Sequence, residues 1–305
     1  DFSKVQYFTM YDYNQKTQQT GLYVQDQMAL DNWRLTLGGR EDWVHTGTTF
    51  HNINDATNTQ RDKHFSGNAA LSYVFDNGIT PYLSYAESFQ AGSGTQVAST
   101  GAFKPTEGKQ YEAGVKYQPP GTKALYTAAV FDLTQQNTSV TEGSITRQVG
   151  EVRVRGLELE ASADVTESLK LVGSYTYNDS EITQGAVAEK GNRLNQLPRN
   201  QATGWADYTW RSGPLDGFGV GAGVRYVGDT YGNAANTELG HVGSYTVYDA
   251  SVHYDLGRVS NVMKGVTVAV DAKNIFNKDY LSTCDGFYCY YGDQRNVVAS
   301  VNYKF

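Results

Sequence analysis

The 305-residue sequence lacks the features that mark several large classes of protein. No stretch approaches the roughly 18 consecutive apolar residues that a membrane-spanning helix needs, which excludes a helical membrane protein. The net charge of −7 argues against nucleic acid as a partner, because neutralising phosphates requires a basic surface. Prolines number 6, methionines 3 and cysteines 2, and the 5 histidines are scattered without metal-ligand spacing. What remains is an acidic chain with no sign of a metal centre.

Tyrosine, glycine and alternating apolar residues are what the sequence has in abundance. It contains 23 tyrosines and 32 glycines. In the last segment, Val297, Ala299, Val301 and Tyr303 alternate with residues that are mostly polar, and Phe305 is the final residue. Similar alternation recurs at 69–75, 79–85, 111–117, 220–226, 250–256 and 266–272. This period of two predicts β-strands whose apolar side faces either the core of a soluble sandwich or membrane lipid.

The spacing of the turns distinguishes these two folds. Tight turns alternate with long polar loops, and an outer-membrane barrel sorts them to opposite ends, whereas a sandwich has no reason to do so. Abundant tyrosine also suits the aromatic girdles at the two membrane interfaces. The tight turns are predicted at 31–32, 76–78, 119–121 and 164–168, and the long loops at about 47–62, 91–107, 136–147, 184–197, 231–243 and 277–292. We therefore predict an all-β fold, a transmembrane antiparallel β-barrel.

The pattern gives about 13 strands. They are predicted at 18–30, 33–46, 64–76, 79–90, 108–118, 123–135, 148–164, 169–183, 199–211, 218–230, 244–256, 266–276 and 293–305. Residues 1–17 are interpreted as the end of an extracellular loop, and 18–305 as the C-terminal portion of the barrel. The first and last strands would run the same way, yet bacterial single-chain barrels are antiparallel with even strand numbers. We therefore expect further strands upstream of Asp1; the lack of a charged leader or signal segment agrees with a mature chain or a fragment.

These segments, in their order along the whole chain, resemble the barrel strands of TonB-dependent siderophore receptors. The matching segments are QTGLYVQDQ at 19–27, LTLGGR at 35–40, TPYLSYAESF at 80–89, KQYEAGVKY at 109–117, VRGLELE at 154–160, GSYTY at 173–177 and KNIFNKDY at 273–280. Within the family, the paired cysteines of the last long loop and RNVVA at 295–299 look most like the ferric hydroxamate branch, the receptors for ferrichrome or ferrioxamine.

The resemblance implies a barrel of about 22 strands around a plugged lumen, of which this chain would supply the last part. It implies uptake of a ferric siderophore across the bacterial outer membrane, with TonB acting through an N-terminal plug that has no counterpart in this sequence. Phe305 would be read as a terminal aromatic assembly signal. Basic residues near the strand tops are consistent with lipopolysaccharide contacts, and the sequence leaves open whether a phage or bacteriocin docks on the loops.

Cys284 and Cys289 are the only cysteines and lie in a long loop that we expect to face outward. A disulfide suits an oxidising compartment and is favoured over two free thiols or a metal pair, since no nearby histidine completes a zinc site. Because the closed loop is short, the stabilisation should be modest, about 2 kcal/mol.

Aromatic residues concentrate in the loops predicted to face outward. Ferric hydroxamate chelates are compact and mostly uncharged, so rings with a polar tip would give them both dispersion contacts and hydrogen bonds. The alternative is that these rings belong to the upper girdle or pack the loops. The candidate ligand-binding residues are Tyr11, Tyr13, Phe89, Phe103, Tyr231, Phe287, Tyr288, Tyr290 and Tyr291.

Catalysis has little support in the sequence. No nucleophile is paired with a base, and Glu158 and Glu160 share a strand face that would be the lumen wall, where charges are solvated or paired with the plug. Iron would arrive already chelated, so no protein-bound cofactor or metal is expected. The rival interpretations are a general porin or passive channel, a hydrolase at the barrel rim, and a soluble β-sandwich adhesin.

Overall fold

The computed structural model of the protein describes residues 12–51, 56–92, 103–142, 145–285 and 288–304. Within these ranges nearly all regular structure is β-strand. The strands are β1 Tyr13–Leu30, β2 Trp33–Phe50, β3 Ala56–Tyr73, β4 Ile79–Gln90, β5 Thr106–Tyr117, β6 Ala124–Gln136, β7 Ser139–Glu142, β8 Ile145–Gln148, β9 Glu151–Asp164, β10 Leu169–Gln184, β11 Asn200–Thr209, β12 Phe218–Val227, β13 Tyr245–Asp255, β14 Val266–Lys273, β15 Leu281–Cys284, β16 Cys289–Tyr291 and β17 Asn296–Tyr303. No helix in these ranges is long and apolar enough to cross a membrane.

Thirteen of the strands form one antiparallel sheet in the order β1-β2-β3-β4-β5-β6-β9-β10-β11-β12-β13-β14-β17. Each strand pairs with its predecessor, apart from two hairpins, β7-β8 and β15-β16, that stand outside the sheet. This is the up-and-down order of a barrel wall, in which short connections place consecutive strands side by side. The 13 predicted strands are therefore confirmed.

Short turns lie at one end of the sheet because their residues allow the left-handed backbone that a tight reversal needs. Asp31, Gly78 and Gly121 have positive φ values of 48°, 86° and 75°. A side chain at Gly78 would also place its Cβ 1.9 Å from the carbonyl oxygen of Gln118. Glycine is therefore needed at residue 78 both for the backbone conformation and for the close packing of two neighbouring turns.

The two faces of the sheet differ in chemistry from one residue to the next. Register places Val220, Val252, Val270 and Ala299 in one row across four strands, and the next row contains Gly221, Ser251, Asp271 and Val298. The first row belongs to what we call the apolar face and the second to the polar face. Val252 and Val270 are 43% and 41% exposed, although each is a large apolar side chain. A continuous apolar face that remains exposed is what a lipid environment requires.

Aromatic rings border the apolar face at the end that carries the short turns. Ring centroids lie 4.9 Å apart in Trp33–Tyr73, 4.6 Å in Tyr73–Phe75, 4.9 Å in Tyr208–Trp210, 5.7 Å in Trp210–Phe218 and 6.3 Å in Phe218–Tyr254. At the opposite end, Tyr85–Tyr111 and Tyr248–Phe276 lie 5.0 and 5.5 Å apart. Rings with one wet edge on both sides of an apolar band are typical of the two interfaces of a membrane.

Several predicted boundaries are wrong at the long-loop end. The segment 47–62, predicted as a loop, contains the end of β2 and the start of β3, and β1 begins at Tyr13, not at residue 18. Polar side chains support this extension, since the hydroxyls of Thr17 and Thr46 lie 3.3 Å apart and Gln15 donates to Thr48 at 3.1 Å. The predicted loops 136–147 and 277–292 likewise contain the hairpins β7-β8 and β15-β16. Strands above a membrane need no apolar alternation, so the sequence pattern does not reveal them.

Cysteine labelling of intact cells tests which end of the sheet faces outward. Val187 lies in a long loop and is fully exposed, whereas Asn77 lies in a short turn. We expect Val187→Cys to react with a membrane-impermeant maleimide and Asn77→Cys to react only after the outer membrane is permeabilised. Labelling of residue 77 alone in intact cells would contradict the orientation.

Candidate functional site

The polar face carries a group of carboxylates in the middle of the sheet. Register aligns Gly114, Ala129 and Glu158 in one row, with Glu160 two residues further along β9 on the same face. On β4 the hydroxyl of Tyr82 donates to Glu112 at 2.6 Å. The cluster Glu112, Glu158 and Glu160 therefore makes this part of the wall negative.

Three connections at the long-loop end pack on one another through apolar side chains. Val140 and Val149 from the connection between β6 and β9 are buried together with Ala234 from the connection after β12, and Leu194 from the connection after β10 packs against them. Val152 at the start of β9 and Ile182 at the end of β10 complete the cluster. Burial of side chains from three connections gives the loop end a small hydrophobic core of its own, which fixes the loops relative to each other.

Polar contacts centred on Arg193 join the connections after β10 and β12. Its guanidinium donates to the carboxylate of Asp229 at 2.9 Å and to the Asp229 carbonyl at 3.0 Å. The Asn236 amide accepts from the Arg193 backbone N–H at 2.8 Å and donates to the Arg193 carbonyl at 2.9 Å. Arg147 and Glu189 form a further ion pair between neighbouring connections. Because each of these contacts joins residues of two different loops, the contacts fix the loops relative to one another.

The contact with Arg193 lowers the pKa of the Asp229 carboxyl. Burial disfavours its ionised form, but the hydrogen bond and charge of Arg193 outweigh burial, so the pKa of Asp229 lies below its usual value. A carboxyl whose pKa is lowered on folding stabilises the folded loop above its unfolded pKa of about 4. That stabilisation is lost as the pH falls through the lowered folded value.

Protease resistance of the 228–244 loop should follow this titration. In wild-type receptor we expect resistance to stay constant from about pH 7 to pH 5 and to fall only near pH 4 and below. Asp229→Asn should remove this acid step, and Arg193→Ala should make the loop cleavable at neutral pH. Glu238→Gln is the control for removing a carboxylate from the same loop, because the Glu238 side chain is 91% exposed and its ionisable neighbour is His241 at 3.9 Å, not Arg193. Equal acid sensitivity in wild type and Asp229→Asn would contradict this role of Asp229.

The last connection forms a disulfide hairpin. Cys284 and Cys289 are bonded, with Cα atoms 4.1 Å apart, at the tip of β15-β16. The Gln196 side chain donates to the Cys284 carbonyl at 2.9 Å, which ties the hairpin to the connection after β10. The predicted disulfide is thus present, and it fixes the part of the hairpin that carries exposed tyrosines.

A buried asparagine organises the base of this last connection. Asn274 is 2% exposed and has φ 48°. Its amide donates to the carbonyls of Lys278 and Asp293 at 2.9 and 3.0 Å and accepts from the Lys278 N–H at 2.9 Å. Its own N–H donates to Asp249, which also binds Arg225. Asn274 and Arg193 hold the site together, and neither residue is among the aromatic candidates predicted from the sequence.

The predicted ligand-binding aromatics lie in different surroundings. Tyr288, Tyr290 and Tyr291 are 63%, 54% and 77% exposed on the disulfide hairpin. Phe89 stacks on His64 with ring centroids 4.8 Å apart. The ring centroids of Tyr13 and Phe50 lie 6.1 Å apart, and Phe103 is 2% exposed. The Tyr231 ring centroid lies 5.4 Å from Cζ of Arg193 and 5.1 Å from the ring centroid of His241. Among the candidates that the structure describes, the hairpin tyrosines are the most accessible, and all these assignments to ligand stay predictions.

Three predicted residues lie outside the described ranges. These are Tyr11, Phe287 and the terminal Phe305. Among the residues that the structure does describe, no three His, Cys, Asp or Glu side chains are grouped so that they could hold a metal ion.

The fold and the arrangement of its loops define the class of protein. The family described as TonB dependent receptor-like, beta-barrel, matches residues 1–275. The chain belongs to this family of β-barrels of the bacterial outer membrane, and its 13-stranded sheet has the strand order of a barrel wall.

Curated relatives match nearly the whole chain. It is 45% identical to the ferrichrome outer membrane transporter/phage receptor of Escherichia coli K12, over 95% of this chain and 38% of that protein. It is 38% identical to the ferrioxamine B receptor of Salmonella typhimurium, over 98% of this chain and 42% of that protein. The chain therefore spans about two fifths of the length of these relatives.

Solved structures share the fold. The siderophore receptor PiuA from Acinetobacter baumannii superposes with a TM-score of 0.79 at 26% identity, over 96% of this chain and 44% of that one. The ferric citrate transporter FecA superposes with a TM-score of 0.76 at 20% identity, over 97% of this chain and 46% of that one, a likeness in fold alone.

Proposed function

We propose that the receptor containing this chain takes up a ferric hydroxamate siderophore, of the ferrioxamine or ferrichrome type, by TonB-dependent transport across the outer membrane. The observation that carries this proposal is identity of 38–45% to a ferrichrome and a ferrioxamine B receptor over 95–98% of the chain. The extent of the match matters because it spans the loop end as well as the strands, and a ligand arriving from outside first meets the barrel at the loop end.

The chemistry of the disulfide hairpin suits a compact, mostly uncharged ligand. Tyr288, Tyr290 and Tyr291 are exposed, and each offers an aromatic ring and a hydroxyl. A hydroxamate chelate presents apolar linkers around an iron–oxygen centre, so it gains dispersion contacts and hydrogen bonds from such rings. In this proposal the iron is cargo carried by the siderophore, and the protein supplies neither a metal ligand nor a cofactor.

The polar face supports a plugged barrel. Glu112, Glu158 and Glu160 form a negative group on the wall that would line the lumen, where isolated carboxylates are favourable only when they are solvated or paired. A plug encoded upstream of Asp1 would offer partners to these groups. It would also carry the segment that TonB contacts, because a barrel wall has no energy source of its own.

The loop end of the apolar face offers places for lipopolysaccharide. Three basic residues lie beyond the apolar band, each with a nitrogen near a carboxylate oxygen. The N···O distances are 3.8 Å for Lys63–Glu41, 3.9 Å for Lys109–Glu87 and 3.4 Å for Arg155–Asp132. We propose that these basic groups meet lipid phosphates, which would share them with the neighbouring carboxylates. The Escherichia coli relative is named a phage receptor, so docking of a phage or bacteriocin on the loops is part of the same proposal.

Iron uptake by living cells tests the proposal against its rivals. The complete receptor is expressed in cells that lack their own hydroxamate receptors, and radio-iron uptake is measured from ferrioxamine and ferrichrome with and without TonB. We expect uptake that saturates and disappears in TonB-deficient cells. Uptake that is independent of TonB and of the chelator would instead indicate a porin, and turnover of a substrate abolished by one Asp or His substitution would indicate an enzyme.

A further inference from the structure

Two tyrosines meet on the polar face just below the loops. Tyr245 is the first residue of β13 and shares the parity of Val247 and Asp249, which places it on the polar face. Tyr280 lies immediately before β15. The two ring centroids are 4.4 Å apart with an interplanar angle of 35°. Because both residues are only partly buried, the pair forms an accessible aromatic surface at the entrance to the lumen.

Gly292 fixes the position of the Tyr280 ring. The Gly292 N–H donates to the Tyr280 carbonyl at 2.8 Å, so the two residues lie opposite each other at the base of the disulfide hairpin. A Cβ at residue 292 would lie 2.0 Å from Cζ of Tyr280. The tip of the Tyr280 ring thus occupies the space that a side chain at residue 292 would fill, and Tyr245 packs on the same ring. An aromatic surface fixed in this way loses little conformational entropy when a ligand binds.

The charged residues of β12 and β13 on this face neutralise each other. Arg225 donates to the Asp249 carboxylate through two bonds of 2.7 and 3.1 Å, a bidentate pair on the same face. A neutralised arginine gives little attraction to an anionic chelate. Neither the Tyr245 nor the Tyr280 hydroxyl hydrogen-bonds to a residue within the described ranges. Both hydroxyls are therefore available to donate to a ligand.

We propose that Tyr245 and Tyr280 form a binding subsite for the uncharged face of a ferric hydroxamate chelate. The rings pack on the methylene linkers, and the hydroxyls donate to carbonyl or hydroxamate oxygens. This subsite rests on the proposed function and deepens it, since it lies between the exposed hairpin tyrosines and the lumen. It would receive the chelate after first contact at the hairpin.

Equilibrium binding to the complete purified receptor tests the subsite. Tyr245→Phe and Tyr280→Phe remove only the hydroxyls, and each should weaken binding of ferrioxamine or ferrichrome by about 3- to 10-fold, the effect of one hydrogen bond. The double alanine variant should weaken it by more than about 10-fold. Tyr248→Phe is the matched control, because Tyr248 is on the same strand but on the apolar face, against Phe276.

The outcomes separate the subsite from the function. Wild-type binding of a hydroxamate with graded loss in the Tyr245 and Tyr280 variants, and no loss in Tyr248→Phe, supports the subsite. Wild-type binding with unchanged affinity in the phenylalanine and alanine variants overturns the subsite and leaves the proposed function standing. No binding of either hydroxamate by wild type overturns both. Folding of each variant is checked by gel electrophoresis in SDS, where an unheated folded barrel migrates differently from the heated, unfolded protein. The phenylalanine variants keep the aromatic rings and therefore the ring packing.

Discussion

Val270→Arg should remove most of the folded receptor from the outer membrane, while Asp271→Arg should leave it nearly unchanged. The two residues are neighbours in β14 and differ in the face they occupy. Val270 lies in the apolar row between Val252 and Ala299, near the middle of the strand. An arginine facing lipid at the midplane of a barrel costs about 2–4 kcal/mol, whereas a charge on the lumen wall stays hydrated or paired.

The comparison is made by measuring folded barrel in isolated membranes and unfolding of the purified protein in denaturant. The Asp271→Arg control introduces the same side chain one residue away, so it accounts for effects of size and charge on synthesis or export. Equal loss of folded protein in both variants, or greater loss in Asp271→Arg, would show that the two faces have been assigned wrongly.

Asn274→Ala should destabilise the last connection by about 3 kcal/mol, because it removes three side-chain hydrogen bonds at a buried position. The backbone N–H of Lys278 and two carbonyls would lose their partner where little water can replace it. Loss of the hydrogen bonds to Lys278 and Asp293 should also make the disulfide hairpin more mobile. We therefore expect ligand affinity to fall together with stability.

Asn277→Ala is the matched control for this experiment. Asn277 also has a left-handed backbone, with φ 51°, but it is exposed and its side chain accepts from the Arg295 N–H at 2.9 Å. Alanine therefore introduces the same backbone strain at both positions, and the difference reflects the buried hydrogen bonds. The readouts are cleavage within 274–295 by a protease and thermal unfolding. Equal effects of the two substitutions would contradict the role assigned to Asn274.

The strands that cross the membrane could be predicted from the sequence because lipid imposes a strict period of two. All 13 were found, and the start and end of β4 match the prediction. The same constraint is absent above the membrane, where the Thr-rich end of β2 and the start of β3 continue as polar strands. The hairpins β7-β8 and β15-β16 are not predicted, because strands of three or four residues are too short to show a period of two.

The site was less predictable because its order comes from contacts between loops far apart in sequence. The pairing of Cys284 with Cys289 could be anticipated, since only two cysteines are present. The contact of Arg193 with Asp229 spans 36 residues, and nothing in the sequence near either residue indicates it. Tyr231 is predicted to bind ligand from its aromatic ring alone, and the sequence does not reveal that Arg193 and His241 lie within about 6 Å of that ring. The sequence predicts aromatic side chains at the mouth, and the structure shows which of the described ones are accessible.

Direct binding by the complete purified receptor tests the central claim most directly. Tryptophan fluorescence or bound radio-iron is measured with ferrioxamine, ferrichrome, a ferric catecholate and ferric citrate. We expect saturable binding of at least one hydroxamate, with affinity at least about 10-fold tighter than for either other chelate, a difference of about 1.4 kcal/mol. Tight binding of the catecholate with no binding of either hydroxamate would contradict the claim, although the barrel itself would remain as described.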